Sequence, residues 1–136
     1  MIVVAILGLL AAIAYPGYAS YVTKARRSDV QGALLGFASA MEGHHTTNNS
    51  YRGAADGGGD TGPPAIYAKE APVSGSTKYY DLTIVAPVTA SAYTLRATPK
   101  GAQAGDGFLE LTSTGIRSWD KDDNGAIDAS EQSWGP

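Results

Sequence analysis

The residues best suited to chemistry lie near the C-terminus, in a run of twelve that is rich in oxygen donors. The run spans 120–131 and reads DKDDNGAIDASE. Its side-chain oxygens recur at the first, third, fifth, ninth and twelfth places, and a glycine stands sixth, where the chain must turn sharply. That spacing is typical of the EF-hand loop, which surrounds Ca²⁺ with six to eight oxygen ligands. We therefore predict a Ca²⁺ site with these ligands: Asp120, Asp122, Asn124, the main-chain carbonyl of Ala126, Asp128 acting through a water molecule, and Glu131.

The charge of this loop supports a bound cation. Five acidic residues and one basic residue fall within 120–131, so the carboxylates would repel one another without a counter-ion. The alternative is a solvated acidic turn that holds no ion. A predicted strand precedes the loop, and too few residues follow for a second helix. We therefore expect a single site in the ~10⁻⁴–10⁻³ M range of extracellular modules.

Other kinds of active site find little support in the sequence. The chain has no cysteine, so a disulfide is excluded, and no fingerprint of a hydrolase, metalloprotease, P-loop or dinucleotide enzyme is present. The only two histidines, His44 and His45, are adjacent and would point to different helix faces. The net charge of −3 and pI near 5.2 argue against a nucleic-acid partner, which we do not expect. We expect no enzymatic activity.

The opposite end of the chain is apolar. Residues 1–23 carry no charged side chain, and a basic group at 24–27 follows at once. About 20 apolar residues suffice for a membrane-spanning helix, and tyrosines suit its interfacial end. A cleaved signal peptide is the alternative, but no basic segment precedes the apolar run. We predict a hydrophobic helix over 1–23, with weak points at Gly8 and Pro16.

The remaining chain, 24–136, is predicted to form one globular domain. Apolar residues recur at helical spacing from Val30 to Met41, and this helix is expected to end near 43–45. A Gly- and Pro-rich loop should follow over about 49–78. Alternating segments at 79–86, 92–98 and 108–114, with a short one at 115–119, indicate an antiparallel meander. The predicted fold class is α+β, with a long N-terminal helix packed on a small antiparallel sheet.

The first residues, MIVVAILGLLAAIAYPGY, closely resemble the N-terminal helix of type IV pilins of the PilE type. The phrases YYDLTIVAP and AYTLRATPKGAQAGD are also similar to that group. In the family a segment F-T-L-I-E-L precedes this run in the mature protein, so the resemblance implies a start truncated relative to that segment. Type II secretion pseudopilins share much of the same helix.

The resemblance implies a structural subunit of a pilus. Its helix would wait in the inner membrane and then polymerise with copies of itself or other pilins into an extracellular filament. The residues expected to drive assembly are Ile2, Val3, Ile6, Leu7, Leu10, Ile13 and Pro16. Many relatives staple the C-terminal region with a disulfide, and we predict that Ca²⁺ at 120–131 replaces it. A secretion pseudopilin and a membrane-anchored Ca²⁺-binding module that does not polymerise are the alternatives.

Overall fold

A computed structural model describes residues 1–135 and shows one long helix, α1, at Ile2–Asn48. Only its C-terminal half packs against the rest of the protein. The buried positions follow the predicted apolar spacing, and they are Val30, Ala33, Leu34, Phe37 and Met41. Each lies on the one face that meets the sheet. Burial of this stripe holds the helix to the sheet and loops of 49–135, which we call the head.

Helix α1 ends later than its sequence predicts. We expected the end near 43–45, whereas the last helical residue is Asn48. Thr46 and Thr47 stay helical, and their hydroxyls donate to the carbonyls of Glu42 and Gly43. Asn49 then closes the helix in the left-handed conformation, at φ 54°. Residues 46–48 therefore belong to the last helical turn.

Five antiparallel strands form one meander in chain order, which confirms the α+β fold class. The strands are β1 (Glu70–Ala71), β2 (Tyr80–Val85), β3 (Thr94–Pro99), β4 (Leu109–Thr112) and β5 (Arg117–Trp119). Burial alternates along β2 and β4, so alternate side chains face α1. The core contains Leu82, Ile84, Leu95 and Leu109, all fully or almost fully buried.

The segment between α1 and β2 contains a strand that sequence reasoning missed. Strand β1 has two residues of low strand propensity, so nothing in the sequence marked it. Isolated bridges join Ala55 to Pro64 and Gly62 to Ile84, which ties the segment to the sheet. The fourth predicted strand, 115–119, is also shorter in the structure, because the chain forms a turn over 113–116 before β5 begins.

The N-terminal half of α1, over residues 2–22, projects from the head, and we call it the free half of α1. By length and composition alone, α1 is the one helix in residues 1–135 that could cross a membrane. The predicted weak points do not interrupt it in this single chain, since Gly8 and Pro16 both lie within continuous helix.

Candidate cation site and assembly helix

The acidic loop begins where the sheet ends. Asp120 directly follows β5, and its main-chain N–H donates to the carbonyl of Phe108 at 3.0 Å. The loop closes with a short 3₁₀ turn, Ala129–Glu131. Asp120 has no exposed surface and Glu131 is 4 % exposed, so both ends of the loop lie against the head.

Three of the predicted ligands converge. Carboxylate oxygens of Asp120, Asp122 and Glu131 all lie within 4.8 Å of one another. The turn that allows this is made at Gly125, whose φ of +86° favours glycine. The Asp120 carboxylate accepts the main-chain N–H groups of Asn124 at 3.0 Å and Gly125 at 2.9 Å, which curls the loop around it.

Hydrogen bonds orient the last predicted ligand, Glu131. One of its oxygens accepts the main-chain N–H of Lys121 at 2.8 Å, and the other accepts that of Asp128 at 3.0 Å. Asp128 caps the 3₁₀ turn in return, as a capping box requires. The carboxylate at the twelfth position is thereby preorganised, facing the first.

The other predicted ligands include Asn124, which makes hydrogen bonds within the loop. Asn124 uses its amide NH₂ to donate to Asp122 at 2.9 Å and its oxygen to accept the N–H of Ala126 at 2.8 Å. Asp128 lies at the N-cap of the 3₁₀ turn and outside the group of three converging carboxylates.

The electrostatics of the loop are unbalanced. Within residues 1–135, no Lys, Arg or His nitrogen forms an ion pair with Asp120 or Glu131. The nearby Lys121 ammonium lies 5.8 Å from the centroid of the Trp119 ring instead. Burying carboxylates without a counter-charge is costly, so this cluster suits a hard cation with oxygen ligands.

A second polar cluster, which sequence reasoning missed, joins the head to the helix. Arg27 binds Asp106 through two hydrogen bonds, of 2.8 Å from Nε and 2.5 Å from Nη2. The guanidinium carbon also lies 3.7 Å from the centroid of the Trp119 ring. The indole N–H of Trp119 donates to the carbonyl of Asp106 at 2.7 Å. We call these three residues the Arg27 clamp.

Two buried side chains extend the clamp. Gln103 donates from its amide to the carbonyl of Thr23 at 3.0 Å, to Tyr80 at 3.0 Å and to Asp106 at 3.1 Å. Burial and the neighbouring Asp106 carboxylate raise the pKa of Tyr80 well above its ordinary value. The clamp therefore fixes the point where the free half of α1 leaves the head.

The clamp and the acidic loop are in direct contact. Trp119 immediately precedes Asp120, and Gly107 immediately follows Asp106. A Cβ at Gly107 would stand 1.6 Å from the carbonyl oxygen of Asp120, and the φ there is +78°. Only glycine permits this approach, which holds the first residue of the loop against the β3–β4 connection.

The segment after the loop returns to the helix. The indole N–H of Trp134 donates to the carbonyl of Glu110 at 3.1 Å, and Gln31 donates to the carbonyl of Trp134 at 3.4 Å. Arg117 lies 4.9 Å from the centroid of the Trp134 ring. The loop thus stands between two anchored points, Trp119 and Trp134.

The predicted assembly residues are exposed and do not contribute to the hydrophobic core. They lie on the free half of α1, and the six large ones are between 51 % and 78 % exposed. They are Ile2, Val3, Ile6, Leu7, Leu10 and Ile13, and Pro16 is exposed as well. A single chain therefore leaves all of this apolar surface for lipid or for other proteins.

Comparison with known proteins identifies the family. Residues 16–111 match the family model described as "Type IV minor pilin ComP, DNA uptake sequence receptor". No curated protein shows a significant match to the sequence. Residues 112–136 lie outside the matched range, so the acidic loop does too.

A solved pilin structure shows the same fold. The non-core minor pilin PilV of Neisseria meningitidis is 22 % identical, with a TM-score of 0.50 over 84 % of this chain and 94 % of that one. A type IV pilin from Shewanella oneidensis is 24 % identical, with a TM-score of 0.45 over 70 % of this chain and 89 % of that one. The resemblance predicted from the N-terminal helix is confirmed, and pilins are structural proteins, not enzymes. The chain belongs to the ComP family of type IV minor pilins.

Proposed function

We propose that this chain is a subunit of a type IV pilus that polymerises through the free half of α1. Membership of the minor pilin family supports this, as does the exposure of an apolar helix that could cross a membrane. The subunit would wait in the inner membrane and then enter a filament on the cell surface. Exposing the apolar surface of this helix to water would cost about 25 cal/mol per Å². Transfer into a filament core of like helices avoids that cost.

We further propose that the loop 120–131 binds Ca²⁺ and so fixes the C-terminal region on the head. The observation that carries this is the pair of buried carboxylates, Asp120 and Glu131, neither of which forms an ion pair with a Lys, Arg or His side chain in the described residues. Asp122, Asn124 and the carbonyl of Ala126 complete the oxygen set, and Asp128 contributes through water. An ion here would supply the positive charge that the loop lacks.

The proposed ion would act as a non-covalent staple. Because the loop lies between Trp119 and Trp134, closing it restrains the last strand and the C-terminal segment together. An ion that binds only the folded state stabilises that state by RT ln(1 + [L]/Kd), which is about 2.7 kcal/mol at 100 times Kd. In a chain without cysteine, this contribution would take the part that a disulfide has in other pilins.

Calcium titration of the full chain in detergent micelles tests the staple. We expect the melting temperature to rise with Ca²⁺ and to fall on chelation. Glu131→Gln should abolish this dependence, because it removes the twelfth ligand. Asp123→Asn is the matched control, since Asp123 is an exposed loop acid outside the ligand set, and Asn tolerates its φ of 53°. It should keep the calcium dependence.

Two results would contradict the calcium proposal. One is a melting temperature that is the same in Ca²⁺ and in chelator. The other is an equal loss of calcium dependence in Glu131→Gln and Asp123→Asn, which would indicate a general charge effect and no defined site.

The family description names a DNA uptake sequence receptor, so DNA binding needs its own test. Five of the ten Lys and Arg side chains form ion pairs in the described residues, for example Arg27 with Asp106, Arg96 with Glu110, and Lys100 with Glu70 and Asp81. The net charge of −3 also opposes a polyanion.

We therefore expect no measurable binding of duplex DNA by the full chain in micelles. The measurement is fluorescence anisotropy of labelled duplexes at low salt, with a random duplex beside any candidate uptake sequence. Binding that weakens steeply as salt rises would show phosphate contacts and overturn this expectation.

The place of the subunit in the filament can be measured directly. Quantitative mass spectrometry of filaments sheared from the native cell would show this chain at low abundance if it is a minor pilin. Its retention in the membrane, with none in the sheared fraction, would instead favour the pseudopilin or the anchored calcium module.

A further inference from the structure

The acidic loop contains the chain's only Asn-Gly pair, Asn124–Gly125. Both residues are exposed, and glycine offers no side chain to shield its main-chain nitrogen. Such a pair is chemically labile, because that nitrogen can reach the side-chain amide carbon of the preceding asparagine. The pair occupies the fifth and sixth places of the loop, where the ligand and the sharp turn are both required.

We propose that Asn124–Gly125 is a site of spontaneous deamidation that bound Ca²⁺ suppresses. The main-chain nitrogen of Gly125 loses its proton and attacks Cγ of Asn124. A new C–N bond closes a succinimide ring, the Cγ–Nδ2 bond breaks, and ammonia leaves with the proton. Water then opens the ring at either carbonyl, which gives aspartate or isoaspartate. This inference rests on the proposed calcium site.

Three hydrogen bonds in the structure oppose this reaction. The N–H of Gly125 donates to the Asp120 carboxylate at 2.9 Å, which opposes loss of its proton. The side-chain oxygen of Asn124 accepts from the N–H of Ala126, and its NH₂ donates to Asp122. The amide group is therefore held at both ends, and the ring closes only after the loop opens.

Calcium controls how often the loop opens. Without an ion, the Asp120, Asp122 and Glu131 carboxylates repel one another across less than 4.8 Å. With an ion, all three are drawn to a common centre and Asn124 is held as a ligand. If only the ion-free loop reacts, the rate falls by the factor 1 + [L]/Kd, which is about 100-fold at 100 times Kd.

The two products have different consequences for the site. Aspartate at the fifth place is a normal EF-hand ligand, so that product still binds the ion. Isoaspartate moves one side-chain carbon into the main chain, which lengthens the loop before its turn. Subunits that stay without calcium and convert to isoaspartate would therefore lose their calcium site permanently, and this fraction would grow with time in filaments outside the cell.

The test uses the full chain in detergent micelles, incubated at mildly alkaline pH with Ca²⁺ or with chelator. Mass spectrometry of the digested protein follows conversion of Asn124. Asn49, which precedes Ser50 far from the loop, is the internal control for calcium-independent conversion. We expect conversion at Asn124 to follow the ion-free fraction across a Ca²⁺ titration, and conversion at Asn49 to be unaffected.

A second measurement uses Asn124→Asp, which cannot cyclise with loss of ammonia and retains an oxygen ligand. After long incubation in chelator, the wild-type chain should regain only part of its calcium-induced rise in melting temperature. Asn124→Asp should regain far more. Equal recovery of the two proteins, or conversion of Asn124 at one rate with and without Ca²⁺, would overturn the inference. If fresh wild-type protein shows no response to calcium, the proposed calcium site itself is wrong.

Discussion

Replacement of Asp106 by alanine is expected to lower the free energy of unfolding of the head by about 3–5 kcal/mol. Asp106 and Arg27 form an ion pair whose side chains are only 11 % and 13 % exposed. Removing the acid leaves the guanidinium of Arg27 largely buried without its partner. It also removes an acceptor from Gln103 and from Tyr80, both of which are buried.

Thermal unfolding of the full chain in micelles, followed by tryptophan fluorescence, measures this effect. A loss of this size corresponds to a fall of roughly 15–25 °C in melting temperature for a head of about 100 residues. Asp29→Ala is the matched control, because Asp29 is an exposed acid on the same helix and forms no ion pair in residues 1–135. It should change the melting temperature little.

A double-mutant cycle separates the ion pair from other effects of the substitution. Arg27→Met removes the charge and keeps apolar bulk against Trp119. Combined with Asp106→Ala, it should restore part of the lost stability, because the unpaired buried charge is gone. If the two losses simply add, the pair is not coupled and the clamp does not hold the helix to the head.

Some structural features of this protein could be predicted from its sequence, and others could not. The buried stripe of α1 follows from apolar spacing, and β2 follows from its alternation, because both patterns are local. The clamp did not, since Arg27 and Asp106 are 79 residues apart and each looks like an ordinary surface charge in the sequence. Arg27 was interpreted only as part of the basic group that follows the apolar helix.

The acidic loop shows the same division within a few residues. The spacing of its predicted ligands can be recognised in the sequence. The structure brings three of them, Asp120, Asp122 and Glu131, together. Its attachment depends on Gly107, whose close approach to Asp120 arises from the path of the β3–β4 connection. Strand β1 was missed for a related reason, because its two residues become a strand only through pairing with β2.

Replacement of Ile6 by aspartate is expected to abolish filament formation while leaving the subunit in the membrane. Ile6 lies in the free half of α1, 51 % exposed and surrounded by apolar residues of the same helix. A charge at the centre of a membrane helix costs about 2.5–3.5 kcal/mol for insertion. The remaining apolar residues of 1–22 can meet that cost, so anchoring persists.

In a filament each copy of this subunit would have to bury the charge among apolar side chains without a partner. Electron microscopy and shearing of cells that express Ile6→Asp measure assembly, and membrane fractionation measures anchoring. Ile6→Leu is the control and should assemble normally, because it conserves volume and apolarity. In the native cell the readout is the absence of this chain from sheared filaments.

The two readouts together distinguish the functional alternatives. Loss from filaments with retained anchoring is the result expected of a pilin, because lipid tolerates one charge that a helical core does not. If Ile6→Asp and wild type are equally absent from filaments, the chain does not polymerise, and the membrane-anchored calcium module becomes the correct description. If Ile6→Asp enters filaments as well as wild type, this face of α1 does not form the filament core, and the assembly surface must lie on the head.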